Sequence, residues 1–563
     1  MSRNHHTIAS YLIQRLRDYG VRHVFGIPGD YVLGFYQKLE QSPIKVIGVT
    51  REDCAGFAAD AYARINGIGA VCVTYCVGGL AVANSIAGAY AEKSPVVVLT
   101  GSPGMGERVN DPMLHHKVRT FSTQKEIFEK FTAAAVVLDD PDLAFRQIDD
   151  ALAACWKFKR PVYIELPRDL VETTPRFSAH VSPSRESSDR SALREALAET
   201  VSWLNQAKRP VILADVEVHR YGLSGELLQL VDRTGIPIAA TILGKSVISE
   251  KHPNYLGVYE GAVGQPEVQY AVEQSDCLLM LGTFLTDLNL GIYTANLDRS
   301  RAIEATSEKV QVRYHRYDGI LFEDFMRGLL KSRVRRRAFR LRQMTRFDHN
   351  SKIIHPSKRP VTVQRLFQML NGFLEDDMVV ISDVGDCLFA AVDLVIHRKT
   401  EFLAPAYYTS MGFAVPAALG AQIANPRLHP VVLVGDGAFQ MTGTELSTIA
   451  RHGLNPIVLV LNNQGYTTER FILDGPFNDI AEWRYENMPS LLGSGWGCAV
   501  HTEIEFENAW KKARVNKKGF SLLNIHLDKF DHSSGLQRLG ARLAAKLRAV
   551  SFRNPSADSG QAP

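Results

Sequence analysis

The sequence lacks the features typical of secreted, membrane-spanning and nucleic-acid-binding proteins. Its seven cysteines are scattered and none forms a Cys-x-x-Cys pair, which favours free thiols in a reducing compartment. No segment reaches the roughly 18–20 apolar residues of a membrane span, and the N-terminus has no long apolar core typical of a secretory signal. The net charge is only +4 over 563 residues, which gives no general affinity for polyanions or membranes. We therefore expect a cytoplasmic protein that binds neither nucleic acid nor membranes.

The sequence does contain a strand–helix–strand rhythm that occurs three times. Its apolar runs lie in residues 70–102, 209–242 and 429–463, for example SPVVVLTGS, RPVILADVEV and NPIVLVLNN. These runs are apolar throughout instead of alternating, as expected for parallel strands that are buried on both faces. A chain of this length also exceeds the roughly 250–300 residues of one hydrophobic core. We therefore predict an α/β protein with three doubly wound parallel-sheet domains.

Two polar segments indicate the domain boundaries. Residues 172–192 are rich in Ser, Pro and Arg, and residues 331–346 contain eight Lys or Arg and no acidic residue. A solvated linker is the favoured interpretation of the basic run, with a polyanion-binding patch as the alternative. The predicted organisation is an N-terminal α/β domain (1–180), a central α/β domain (190–335), a basic linker (336–360), a third α/β domain (361–535) and a C-terminal helix with a disordered tail (536–563).

The strongest chemical signal is a Gly-Asp-Gly turn followed by an Asn-Asn pair. Asp436 in VVLVGDGAFQ and Asn463 in LVLNNQGYTTER each follow a buried strand. Neighbouring parallel strands bring such ends to one edge of a sheet, where ligands of open α/β sheets bind. A carboxylate, an amide oxygen and a backbone carbonyl are ligands that suit Mg²⁺, and a helix that starts beside Gly435 and Gly437 favours an anion. These segments predict a metal-bridged diphosphate.

A second candidate site is the pair His115 and His116 in DPMLHHKVRT. Two adjacent imidazoles can be metal ligands, a proton relay or unrelated surface residues. The pair alone does not decide between these possibilities.

Together these segments resemble the thiamine-diphosphate (ThDP) enzymes of the pyruvate decarboxylase branch. The resemblance extends through VRHVFGIPGDYVL, EDCAGFAADAYAR, GAYAEKSPVVVLTG, LHHKVRT and GYTTER. VEVHRYGL, SDVGDCLF and YTSMGFAVPAALG lean towards the phenylpyruvate type. The resemblance implies a carboxy-lyase that uses ThDP and Mg²⁺ to convert a 2-oxo acid to an aldehyde and CO₂. It also implies a pyrimidine-binding first domain and a diphosphate-binding third domain.

Several residues match the family's cofactor contacts. The Mg²⁺ ligands map onto Asp436, Asn463 and the carbonyl of Gly465. Glu52 matches the glutamate that hydrogen-bonds the aminopyrimidine and promotes loss of the thiazolium C2 proton, although a carboxylate at a helix start also has a purely structural explanation. The remaining matches are Met411 as an apolar wedge under the cofactor, the Thr409 carbonyl as an acceptor, and Asp386 as a further contact.

Four titratable residues match the groups that surround the reacting carbon in these decarboxylases. They are Asp30 of GIPGDYVL, His115, His116 and Glu469 of GYTTER. Such groups suit general acid work, and the resemblance places the histidine pair above the thiazolium ring. Phenylpyruvate-type members can lack the glutamate, so Glu469 fits the pyruvate and indolepyruvate types better.

The predicted substrate pocket is wide. Leu388 and Thr468 match positions where pyruvate-preferring members carry Trp and Ile, and Ile472 is a third expected wall. Smaller side chains leave room for an aromatic or branched 2-oxo acid, and a polar or guanidino substrate stays open. The rival functions are a carboligase of the acetolactate synthase type and a catalytically silent scaffold relative.

The predicted site is divided between two domains. Glu52 and the histidines belong to the first domain, whereas Asp436 and Asn463 belong to the third. In the family the cofactor spans this pair of domains across two subunits. The resemblance therefore implies a homodimer or a homotetramer with its sites at the subunit interface.

Overall fold

The computed structural model describes residues 6–176, 186–337, 355–397 and 401–540. Residues 338–354 of the predicted basic linker and residues 541–563 of the predicted C-terminal helix and tail lie outside the described part. Within the described ranges, no helix is long and apolar enough to cross a membrane.

The first sheet is parallel throughout, with strand order β2-β1-β3-β4-β6-β5. Every residue of β3 and β4 is buried, which explains why these strands read as continuous apolar runs. The elements are α1 (Ile8–Asp18), β1 (His23–Gly26), α2 (Leu33–Glu40), β2 (Lys45–Gly48), α3 (Glu52–Asn66), β3 (Gly69–Val73), α4 (Val77–Ala91), β4 (Val96–Ser102), α5 (Thr123–Phe128), β5 (Ala135–Val137), α6 (Pro141–Phe158) and β6 (Val162–Pro167).

The second sheet has strand order β13-β12-β11-β10-β7-β8-β9 and is parallel except at β12 and β13. These two strands pair antiparallel because the connections before them are too short for a crossover helix. The elements are α7 (Arg190–Gln206), β7 (Pro210–Ala214), α8 (Val216–Arg220), α9 (Ser224–Thr234), β8 (Ile238–Ala240), β9 (Tyr255–Val258), α10 (Pro266–Glu273), β10 (Cys277–Leu281), β11 (Ala302–Ala305), β12 (Val310–Val312), β13 (His315–Tyr317) and α11 (Phe322–Lys331).

The third sheet is again parallel, with order β15-β14-β16-β17-β19-β18. The prediction of three parallel-dominated α/β sheets is therefore confirmed. The elements are α12 (Val363–Phe373), β14 (Met378–Ser382), α13 (Asp386–Ala391), β15 (Glu401–Leu403), α14 (Ala414–Ala424), β16 (His429–Gly435), α15 (Asp436–Thr442), α16 (Leu446–Arg451), β17 (Ile457–Asn462), α17 (Thr467–Ile472), α18 (Met488–Leu492), β18 (Trp496–Val500), α19 (Glu503–Val515) and β19 (Ser521–His526).

The first and third domains pack together through α3 and α14 and share one hydrophobic core. The helices approach closely because small residues line the contact. A Cβ on Gly420 would lie 2.0 Å from the carbonyl oxygen of Ala58. This packing fixes the position of α3, which begins at Glu52, relative to the third sheet.

Candidate active site

The predicted metal ligands lie at the carboxyl edge of the third sheet. β16 and β17 are adjacent, and Asp436 follows the first while Asn463 follows the second. The Asp436 carboxylate accepts hydrogen bonds from the backbone N–H groups of Gly437 at 2.7 Å, Asn463 at 3.1 Å and Gly465 at 3.3 Å. Burial raises the pKa of Asp436 to about 6, and the backbone donors oppose that shift. A divalent cation would favour the ionised form of this carboxyl group.

The surroundings of Asp436 fit a metal-bound diphosphate. The Asn463 amide nitrogen donates to the Thr467 hydroxyl, and its amide oxygen accepts no hydrogen bond from any residue in the described ranges. A Cβ on Gly435 would meet nothing within 4 Å, so there is open space in front of the N-terminus of α15. Mg²⁺ binds to carboxylate and amide oxygens of this kind, and a phosphate binds to the N–H groups at the start of a helix.

Arg470 shapes the loop that carries the predicted ligands, and sequence reasoning missed it. Its buried guanidinium donates to the carbonyls of Asn463 at 3.1 Å and Gln464 at 2.8 Å, and it pairs with Asp479 at 2.9 Å. Gly465 in the same loop has φ 156°, and a Cβ built on it would lie 2.1 Å from the backbone oxygen of Asn478. The sequence contained a signal for Arg470, since this residue ends the motif GYTTER. Its hydrogen-bond partners are visible only in the folded chain.

The segment that contains Thr409 and Met411 is held at both ends by buried carboxylates. Glu92 accepts from the N–H groups of Tyr407 at 2.8 Å and Tyr408 at 2.9 Å. Asp383 accepts from Gly412 at 3.1 Å and from Ala414 at 2.9 Å. Thr409 itself has φ 55°, in the left-handed region, which costs a non-glycine residue on the order of 1 kcal/mol. The surrounding bonds stabilise this strained conformation.

Glu92 belongs to a buried charge network between the domains. Its second carboxylate oxygen pairs with Arg64 at 3.0 Å, and Arg64 also binds Asp60 at 2.8 Å. Arg64 is buried, and these two carboxylates raise its pKa. Sequence analysis did not identify Glu92 or Asp383 as positioning groups, although both lie in segments that carry the family resemblance.

Asp386 lies at the start of α13, where its carboxylate binds the C-terminal segment. The backbone N–H of Ser533 donates to it at 2.9 Å, and the Ser533 hydroxyl also donates to it. Burial raises the pKa of Asp386 to about 6. Its predicted contact with the cofactor stays a prediction, while its hydrogen bonds with Ser533 hold the segment that follows β19 against α13.

The structure brings Asp30, His115 and His116 together. His115 Nε2 lies 2.8 Å from a carboxylate oxygen of Asp30, and the two imidazole centroids are 4.8 Å apart. His116 has φ 67°, a left-handed turn that lets adjacent side chains converge on one spot. The buried Tyr31 ring stacks on His115 at 4.8 Å, and Arg168 lies 3.8 Å from Asp30.

Glu52 and Glu469 are not part of either cluster within the chain. Glu52 is half-buried at the start of α3 and Glu469 is exposed on α17. In the described ranges, no residue donates a hydrogen bond to either carboxylate, and no contact joins Glu469 to the histidines. Both groups are therefore available to a ligand or a second subunit.

The predicted pocket residues lie on α13 and α17. Leu388 is fully buried, Ile472 is exposed, and the Thr468 hydroxyl is buried without a hydrogen-bond partner among the described residues. This hydroxyl lies 4.0 Å from a Cβ built on Gly385, which precedes α13. Leu388 and Thr468 thus belong to helices that start close to each other.

Comparison with known proteins identifies the class of protein. The N-terminal TPP binding domain of thiamine pyrophosphate enzymes matches residues 6–127, their central domain matches 197–321, and their C-terminal TPP binding domain matches 383–525. Thiamine pyrophosphate is ThDP under another name. The chain therefore belongs to the thiamine pyrophosphate enzyme family.

Its relatives lie in the family's 2-oxo acid decarboxylase branch. Indole-3-pyruvate decarboxylase of Azospirillum brasilense is 35% identical over 542 residues, which is 94% of this chain and 97% of that protein. Pyruvate decarboxylase 4 of Arabidopsis thaliana is 32% identical over 560 residues, covering 96% and 92%. Alpha-keto-acid decarboxylase of Mycobacterium leprae is 32% identical over 562 residues, covering 98% of both. The family resemblance inferred from the motifs is confirmed.

Proposed function

We propose that this protein uses ThDP and Mg²⁺ to decarboxylate an aromatic or branched-chain 2-oxo acid to the aldehyde and CO₂. ThDP supplies the electron sink that lets the 2-oxo acid lose CO₂. The observation that carries the proposal is the set of ligating atoms at the edge of the third sheet. There the buried Asp436 carboxylate follows β16, next to the open space at Gly435, and the Asn463 amide oxygen, which accepts no hydrogen bond from a described residue, follows the neighbouring β17.

Residues of both outer domains hold the cofactor in this proposal. Asp436, Asn463 and the Gly465 carbonyl bind Mg²⁺, and the N-terminus of α15 binds the diphosphate. Glu52 would hydrogen-bond a ring nitrogen of the aminopyrimidine, because its carboxylate has no other partner among the described residues. The Thr409 carbonyl and the Met411 side chain, on the backbone segment held by Glu92 and Asp383, would contact the same ring.

Proton handling falls to Asp30, His115, His116 and Glu469. The aldehyde carbon needs a proton after CO₂ leaves, and imidazoles and carboxylic acids can deliver one near neutral pH. Asp30 orients His115 through the 2.8 Å contact. Arg168, which is bound to Glu107, lies 3.8 Å from Asp30.

A panel of five 2-oxo acids tests the proposal. The protein with ThDP and Mg²⁺ is given pyruvate, 2-oxoisovalerate, phenylpyruvate, indolepyruvate and 2-oxo-5-guanidinovalerate, and aldehyde release is followed. We expect kcat/KM to be highest for an aromatic or branched substrate. A higher value for pyruvate contradicts the assigned substrate class. A condensation product that forms faster than aldehyde indicates a carboligase, and no ThDP-dependent CO₂ release indicates a silent relative.

Thr468 provides a sharper test of the pocket. In Thr468→Ile the extra bulk should shift the preference from aromatic substrates towards pyruvate by about 10-fold or more, since one methylene is worth ~1–3 kcal/mol in such a pocket. Thr468→Val keeps the volume and removes only the hydroxyl, so it is the matched control. An unchanged substrate ratio in Thr468→Ile would remove this residue from the pocket.

We also propose that the enzyme is a homodimer or homotetramer. Large apolar side chains are exposed near both halves of the site: Met113 and Val118 beside the histidines, and Leu473 and Phe477 after α17, the least covered being Met113 at 81%. Clustered apolar exposure of this kind is typical of a subunit interface. A monomer that retains full activity at high dilution would contradict the assembly.

A cytoplasmic location completes the proposal. All seven cysteines are free thiols, and six of them are buried. Burial raises the pKa of Cys498, the remaining thiol, to about 11, so it is a poor thiolate at neutral pH. Unpaired thiols persist most readily in a reducing compartment, and fractionation of the source cells tests the location.

A further inference from the structure

The three residues around the histidine pair form a donor set for a nitrogen-preferring metal ion. One ligating atom from each of Asp30, His115 and His116 lies within 4.8 Å of the other two. Ligands bound at about 2.0–2.1 Å around a tetrahedral Zn²⁺ ion lie roughly 3.4 Å apart. Small side-chain rotations are therefore enough to form a three-ligand site, with the fourth position left for water or a substrate carboxylate.

The loop that carries the pair is already fixed in the required conformation. The left-handed His116 turns both rings towards Asp30. Buried Lys117 secures the turn by donating to the Asp111 carboxylate at 2.6 Å and to the Pro112 carbonyl at 3.1 Å. A metal ion would thus meet preorganised ligands instead of paying to order a mobile loop.

The hydrogen bonds around the ligands also suit a metal. The Nδ1 of His115 lies 3.4 Å from the Tyr31 hydroxyl, which leaves Nε2 directed at Asp30. The Nδ1 of His116 is buried and has no hydrogen-bond partner among the described residues. Buried polar atoms are nearly always satisfied, so the His116 imidazole has hydrogen-bonding or coordinating capacity that no described residue uses.

The charges near the site tolerate a divalent cation. Arg168 approaches Asp30, but its guanidinium is bound to Glu107. The ionised groups Asp30, Glu107 and Arg168 together leave one net negative charge before any metal binds. The His115 side chain is 59% exposed, so the described residues of this chain do not enclose it.

We propose that Asp30, His115 and His116 bind Zn²⁺ separately from the oxygen-lined site of Asp436 and Asn463, and that this binding inhibits the enzyme reversibly. Imidazole ligands favour Zn²⁺, whereas Mg²⁺ prefers an all-oxygen shell. The metal occupies the lone pairs that the proton-handling groups need. The inhibition rests on the proposed function, but the metal binding does not.

The test uses Co²⁺ as a spectroscopic substitute for Zn²⁺. The holoenzyme, saturated with ThDP and Mg²⁺, is titrated with Co²⁺ in metal-depleted buffer. We expect one equivalent per chain to give the intense visible absorption of four-coordinate, nitrogen-ligated Co²⁺, which an octahedral oxygen site does not produce. Zn²⁺ should abolish this band.

The variants His115→Phe and His116→Phe should lose the band while still binding ThDP. His315→Phe removes an exposed imidazole that is paired with Glu199 and should keep it. A band that persists in both active-site variants, or no band in the wild-type holoenzyme, overturns the proposed site. ThDP binding in each variant shows that a lost band does not reflect unfolding.

Inhibition is measured with the best substrate of the panel. Zn²⁺ should reduce turnover in the presence of excess Mg²⁺, and a zinc-selective chelator should restore it. Inhibition that excess Mg²⁺ relieves overturns the proposal, because it places Zn²⁺ at the oxygen-lined site. If the Co²⁺ band appears but no substrate is decarboxylated, the metal site stands and the proposed function fails.

Discussion

The two halves of the candidate site are built in different ways. In the third domain, Asp436 is buried and accepts three backbone hydrogen bonds, so its position depends on the main chain of adjacent strands. In the first domain, Asp30 and His115 are exposed on loops and are held mainly by side chains. A backbone-built half suits permanent binding of a cofactor. A side-chain-built half suits groups that must exchange protons and that a second subunit covers.

The largest expected effect comes from breaking the backbone-built half. Asp436→Asn removes the charge of the proposed Mg²⁺ ligand, and we expect activity to fall on the order of 100-fold or more together with the affinity for ThDP and Mg²⁺. Isothermal titration with ThDP and Mg²⁺, followed by an activity assay, measures both quantities. The control is Asp318→Asn, since this carboxylate is 78% exposed and, among the described residues, pairs only with surface Arg316. Unchanged ThDP affinity in Asp436→Asn would contradict the assigned metal site.

Substitutions in the side-chain-built half should lower turnover without weakening the binding of ThDP. His115→Phe and His116→Phe should each lower kcat on the order of 10²–10⁴-fold, as for loss of a general acid. ThDP affinity should stay nearly unchanged, because the Asp436 and Asn463 region is untouched. If activity survives both substitutions, the two imidazoles are surface residues and the contrast between the halves disappears.

Glu92 connects the halves, so its loss should produce an intermediate effect. Glu92→Gln keeps an acceptor for the Tyr407 and Tyr408 N–H groups but leaves buried Arg64 with less opposing charge. We expect kcat to fall about 10-fold with little change in KM, since the Thr409 carbonyl, which is proposed to contact the cofactor, would be displaced by small distances. Steady-state kinetics separate kcat from KM.

The matched control is Glu308→Gln, an exposed carboxylate that pairs with Lys93, the residue that follows Glu92. It should leave both kinetic constants unchanged. An equal loss in the two variants would indicate a general charge effect and would remove the positioning role of Glu92.

The sequence alone predicted where a residue lies when the local pattern of apolar residues determines its position. The apolar runs located β16 and β17, and parallel packing then required Asp436 and Asn463 to follow neighbouring strand ends. The convergence of Asp30 with His115 could not be deduced, because it depends on the left-handed His116 and on loops of separate elements. Glu92 and Asp383 were missed since a buried carboxylate gives no periodic signal. The role of Asp386 was expected from resemblance alone, and its Ser533 partner lies far along the chain.

A separate effect, on stability and not on turnover, is expected at Asp386. Its folded-state pKa of about 6 lies above the ordinary value of 3.8, so the folded chain holds this proton more tightly than the unfolded chain. The contribution of this group to stability is therefore full below about pH 4 and is lost as pH rises through 6. At pH 7 the buried charge costs roughly 3 kcal/mol, at 1.36 kcal/mol per pKa unit.

Asp386→Asn resembles the protonated acid in shape and charge. In the cofactor-free protein we expect this variant to be more stable than the wild type at pH 7 and similar to it at pH 4, as measured by denaturant unfolding. Asp318→Asn, on the exposed surface, should show no such pH dependence. A variant that is less stable at pH 7 would mean that the ionised carboxylate is the form that binds Ser533. The negative charge would then hold the segment around Ser533 against α13.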